Sequence, residues 1–159
     1  MKKNYEEEAI KLSKAINIAI ESFQKYPRKD WTKEIHEQTI SIYYELQKAT
    51  LNPNPEFKKI TSLKYLINDV FTYFQESYGN DVEYFWQQID SQNLDFVREN
   101  KIDKILTRGK IKNRIEFEYI TDIIVAIEQE KKITQIQAEK LKQFIGEFES
   151  KNKNNKNVV

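Results

Sequence analysis

The sequence predicts an all-α fold: a single-domain multihelical bundle of six or seven helices, the first three long and antiparallel. Three observations predict it. Only three glycines and three prolines interrupt 159 residues, and these are the residues least tolerated inside a helix. Between the breaks, apolar side chains recur every three to four residues, the period of one helix face. The breaks themselves carry capping chemistry, with Asn, Asp or Thr ahead of new periodic runs and Gly after old ones.

The first helix is expected over residues 4–26, with Tyr5, Ala9, Leu12, Ile16, Ala19, Ile20 and Phe23 on one stripe and Ile10 and Ile18 off it. Pro27 ends it. Asp30 has the chemistry of an N-cap for a second helix over residues 31–51, whose core line reads Trp31, Ile35, Ile42, Leu46 and Ala49. Asn52-Pro53-Asn54-Pro55 is the strongest break in the chain, because each proline also disfavours helix in the residue before it. It is the one candidate hinge, separating a helical hairpin from the rest.

The third helix, residues 55–78, carries Phe57, Ile60, Ile67, Phe71, Phe74 and Tyr78 on one line, widened by Leu63, Leu66, Val70 and Tyr73. An apolar arc of that width exceeds the ~100° stripe of a surface helix, so this helix is expected at the centre. Gly79 closes it, and Asn80 or Asp81 caps a short aromatic helix with Val82, Phe85, Trp86 and Ile89 inward. Asp95 is expected to cap a fifth helix that reaches Arg108 and stops at Gly109. Asn113 and Glu116 have capping-box spacing and open a sixth, residues 114–130; Thr134 and Gln137 repeat the box before the last. Residues 1–149 then form one domain, and the Lys/Asn-rich residues 150–159 a disordered tail.

Composition narrows function by exclusion. Twenty-six basic against 25 acidic side chains leave a formal charge of +1, too little for a bulk electrostatic ligand of nucleic acid. With no cysteine there are no disulfides, thiolate metal sites or thiol nucleophiles. Residues 1–8 turn acidic where a signal peptide becomes apolar, and no apolar run approaches the ~20 residues of a membrane helix. The expectation is a soluble cytoplasmic protein without membrane association.

Catalytic and metal motifs fail one by one. His36-Glu37 begins a zinc-protease pattern, but Ile40 stands where its second histidine belongs, and Lys33 blocks a Glu-x-x-His pattern. Asp90 to Lys101 resembles a calcium loop only until Leu94, Asp95 and Lys101 occupy ligand, glycine and glutamate positions. Arg108-Gly109-Lys110 lacks the hydroxyl residue of a phosphate loop. Glu118 and Asp122, one turn apart, read as a solvated acidic edge. No cofactor and no metal are expected.

Two signals remain. Residues 98–114 hold Arg98, Lys101, Lys104, Arg108, Lys110, Lys112 and Arg114 against Glu99 and Asp103, a ridge suited to an acidic protein surface or a phosphate backbone. A solvated face with cations at a helix C-terminus is the plainer account. On the second helix His36, Ile40, Tyr43 and Tyr44 lie off the core line, either packed on further helices or forming a tyrosine-rich partner surface. The function expected is that of a non-enzymatic interaction protein, of the kind exemplified by small bacterial immunity proteins that neutralise a toxin by binding it. Non-specific nucleic-acid binding through residues 98–114 is the alternative.

Overall fold

The computed structural model describes the backbone of residues 4–157 and side chains as far as Asn152. Among the described residues there are seven α-helices and no strand. The chain divides into two compact units, Met1–Arg98 and Glu99–Val159. The Asn52–Pro55 break lies inside the first.

In the first unit, α1 (Tyr5–Lys25) is capped by Asn4, whose side chain accepts from the Glu6 amide at 2.8 Å, and three glutamates fill its positive first turn. It buries ten residues, Leu12, Ile16 and Phe23 among them, against four in the third helix. The central role expected of the third helix is therefore carried mainly by α1, which packs on the three helices that follow. Short side chains at Ala9, Ala15, Ala19 and Ser22 let those neighbours approach.

Helix α2 (Lys33–Leu51) starts later than the Asp30 signal implies. Thr32 is its N-cap, accepting from the Ile35 amide at 3.1 Å, while Asp30 binds Arg28. Trp31, freed from the helix, lays its ring 5.7 Å from that of Phe23. The Tyr5 hydroxyl donates to the Thr50 carbonyl at one end of the pair, and Phe23 meets Tyr43 toward the other, so α1 and α2 run antiparallel.

Pro55–Phe57 form a single 3-10 turn, and α3 (Ile60–Glu76) follows without a side-chain cap. It returns along α2, where the Tyr43 hydroxyl donates to the Val70 carbonyl at 2.7 Å. Gly79, at φ 127° and ψ 179°, is the N-cap of α4 (Asn80–Ser91), a backbone shape that favours glycine. Helix α4 closes the core with Phe85 stacked on Phe74 and the Trp86 indole N–H donating to the Phe74 carbonyl.

No helix starts at Asp95. Asn93 and Asp95 both take positive φ, and Leu94 and Phe96 turn into the core, Phe96 lying 4.5 Å from the Phe71 ring. Left-handed backbone at Asn93 and Asp95 cannot belong to a right-handed helix, which is what rules out the expected start.

In the second unit α5 (Lys101–Arg108) is capped by Asn100 and closed by Gly109 in the left-handed region at φ 84°. Helix α6 (Arg114–Gln129) opens on the Asn113–Glu116 cap. Thr134 and Gln137 exchange reciprocal bonds of 3.0 and 3.1 Å ahead of α7 (Gln135–Asn157), a complete capping box. Ile105, Ile111, Ile120, Ile124 and Leu141 make this unit's own core, with Phe117 stacked on Phe148. Helix α7 runs past Ser150; the side chains beyond Asn152 and residues 158–159, on which most of the expected tail falls, lie outside the described residues.

Candidate functional site

Helix α2 carries two apolar lines about a quarter turn apart, and the structure divides both: Trp31 and Leu46 of the expected core line pack on the core, and so do Tyr43 and Ile40 of the other. In the group His36, Ile40, Tyr43 and Tyr44, for which packing and a partner surface were both open, Tyr43 is 4% exposed, Ile40 packs partly into the core and His36 is half-buried. Of that group only Tyr44, at 52%, faces outward. Ile35 and Ile42, assigned above to the core, are exposed at 44% and 51%, and Ala49 is exposed with them. Tyr43 decides the phase. Its ring fits edge-on against Phe23 and Phe74, and its hydroxyl reaches a carbonyl of α3, a contact no isoleucine at position 42 replaces. Burial in that site pushes the Tyr43 phenol well above its usual pKa, reinforced by Tyr73 and Asp69.

Ala49 of the displaced line borders an open groove of about 570 Å³ between the C-terminal half of α2 and the first half of α3, whose lining does not include Ile35 or Ile42. Ala49 and Leu66 lie along it, Pro53 and Phe57 close one end, and Tyr65 stands on its rim 76% exposed. Glu45 and Lys48 are its charged lining residues. The groove follows from local sequence: Pro53 and Pro55 stop α2 early and force the 3-10 turn that carries Phe57. Sequence reasoning missed it because Phe57 was placed on the buried line of the third helix and Tyr65 stood outside every stripe. A second depression of about 650 Å³ lies beside Trp86, Phe96 and Val97, rimmed by the Arg98–Glu83 ion pair.

Comparison with protein-family models gives no match, and comparisons with curated proteins and with solved structures give none. The residues carry the argument alone.

The predicted basic ridge is divided. Arg98 belongs to the first unit and the other six cations to the second. Arg98 pairs with Glu83 at 3.0 Å, Lys104 with Glu99 at 3.2 Å and Arg114 with Glu118 at 3.1 Å. Lys101 lies 5.3 Å from the centre of the Tyr119 ring. Arg108 grips Glu116 with two bonds of 2.7 and 3.1 Å, and the Lys112 amide adds a third to the same carboxylate. Burial raises the Glu116 pKa, but the Arg108 and Lys112 bonds outweigh it and hold the carboxyl below its usual value. The ridge thus spends much of its charge inside the unit, leaving Lys110 and Lys112 exposed without an ion pair among the described residues.

A polar cluster unforeseen in the sequence sits at the base of α4. Arg28 donates to the Tyr73 hydroxyl, the Tyr78 carbonyl and Asp81, and Tyr73 donates to the other oxygen of Asp81, a residue only 2% exposed. Trp31, Tyr73 and Tyr78 place their rings about the guanidinium. A Cβ on Gly79 would stand 3.1 Å from both Arg28 and Asp81. With each carboxylate oxygen bonded, the cluster acts as a latch between two loops. The buried His36 Nδ1 has no hydrogen-bond partner. No group of three or more His, Cys, Asp or Glu among the described residues is placed to hold a metal ion, and no described helix is long and apolar enough to cross a membrane.

Proposed function

We propose that the protein is a non-enzymatic interaction module that works by holding a partner protein in the groove between α2 and α3. One observation carries this reading: Phe57 and Tyr65 line an open apolar groove and stay exposed, although the unit has a core without them, and Ile35 and Ile42 are exposed elsewhere on α2. Contiguous exposed apolar surface of this kind is disfavoured on a monomer and typical of partner sites, where aromatic residues anchor the contact. In this reading the molecule acts stoichiometrically, occupying its partner as immunity and antitoxin proteins do, and its cysteine-free chain suits a reducing cytoplasm.

The test is a comparison of two baits in extract from the native host, wild type and Tyr65→Glu, both checked for unchanged helicity. A partner held by wild type and lost with Tyr65→Glu is expected. Identical retained proteins from both baits would remove the groove from the account.

A further inference from the structure

The outer face of α2 is complementary to itself, a property that goes beyond the groove and does not depend on it. We infer that the chain pairs weakly with a second copy of itself, the two α2 helices lying antiparallel about a twofold axis at Ile42.

The face is continuous. Ile35, Ile42 and Ala49 recur every seven residues along α2 and are all exposed, over about 21 Å at the helical rise of 1.5 Å per residue. Gln38 and Glu45, exposed as well, follow the two isoleucines by one turn. Glu34 and Lys48 stand on the bordering edge, directly before Ile35 and Ala49. Both are exposed, and neither is in an ion pair among the described residues.

One register satisfies all of these side chains. Twofold symmetry between antiparallel helices brings like edges together and reverses the order along them. With the axis at Ile42, that residue meets its own copy, and Ile35 falls opposite the small Ala49 of the second copy, each one heptad from the axis. Gln38 falls within a residue of the second copy's Glu45, an amide donor beside a carboxylate. Glu34 falls about 3 Å along the axis from the second copy's Lys48. Each contact occurs twice, and no two like charges are brought together on the edge. Parallel helices would set the same edge against Thr39 and Leu46, which carry no charge. Glu34 and Lys48 therefore choose the antiparallel orientation, as edge charges do in coiled coils. A single helix face of this length lies well below the roughly 800 Å² per partner of a standard interface, so the contact is transient and the dilute chain monomeric.

The chain has no cysteine, so introduced cysteines read the geometry in the full-length protein. With a short thiol crosslinker, Ile42→Cys is expected to link to itself. Ile35→Cys mixed with Ala49→Cys should link several-fold faster than either variant alone. Self-linkage of Ile35→Cys at or above the mixed rate would overturn the antiparallel register. Sedimentation of the unmodified chain at low salt should show mass rising with concentration, and Ile42→Glu should abolish the rise. Glu34→Lys turns two attractive pairs repulsive and should weaken association about tenfold; adding Lys48→Glu should restore it, and failure of that rescue would overturn the edge pairing. A chain monomeric at every concentration, with no crosslink at position 42, overturns the inference. Host proteins lost from an Ile42→Glu bait would in that case give the face to a different protein, and the Tyr65→Glu bait decides the groove separately.

Discussion

Arg28 and Asp81 show how a single pair holds distant loops together. Arg28 stays charged because its bonds to Asp30 and the fields of Tyr73 and Asp81 overcome the cost of burial. Removing one member strands the other: Arg28→Ala should cost roughly 3–5 kcal/mol, as for breaking a buried pair, read by chemical denaturation. Burial and the Asp81 hydrogen bond likewise push the Tyr73 phenol up, as burial does for Tyr43. A folded pKa above the unfolded value of about 10 means stability that is whole below pH 10 and drains away as pH rises beyond it. Ultraviolet titration should therefore show Tyr43 and Tyr73 ionising last of the nine tyrosines, together with unfolding. Glu116 has the opposite sign. Its depressed pKa contributes stability above about pH 4.5 that is lost as pH falls through the folded value. Glu116→Gln should flatten that acid limb, and an unchanged limb would deny the Arg108 pair its role.

At the level of elements the instructive case is α2. Capping residues and periodicity place the helix within two residues of its true start and end at Leu51. Its rotation is another matter. Two apolar lines of similar weight run along it, and the choice rests on Phe23, Phe74 and the Val70 carbonyl, which lie on other helices. The two lines predict different mutational costs. Tyr43→Ala should destabilise by roughly 3–5 kcal/mol, as large-to-small aromatic changes in a core do, while Ile42→Ala should stay within about 0.5 kcal/mol of wild type. Thermal melts of the two variants check it, and a reversed order would refute the observed phase. The segment before α5 teaches the same lesson. Asp95 resembles a cap, but the core claims Leu94 and Phe96 on either side of it, Asp95 itself takes positive φ, and the helix waits for Asn100.

The molecule as a whole contains two separate hydrophobic cores, one in each unit. The first has most of the large aromatic pairs and an internally bonded latch; the second has about 60 residues, near the size where a core alone is marginal. Residues 1–98 expressed alone should unfold cooperatively, which calorimetry would show; a non-cooperative fragment would mean that its core is incomplete. By itself the sequence determined the all-α class, the order and approximate limits of most helices, and the caps at Asn113 and Thr134, because these depend on backbone hydrogen bonding and side-chain period within one turn. Only the tertiary structure decided which face of α2 is buried, that Ala49, Phe57 and Tyr65 line a groove, and that Arg28 meets Asp81. Those outcomes depend on partners some 30 to 50 residues away along the chain, and a periodic pattern holds no record of which neighbour its apolar face will find.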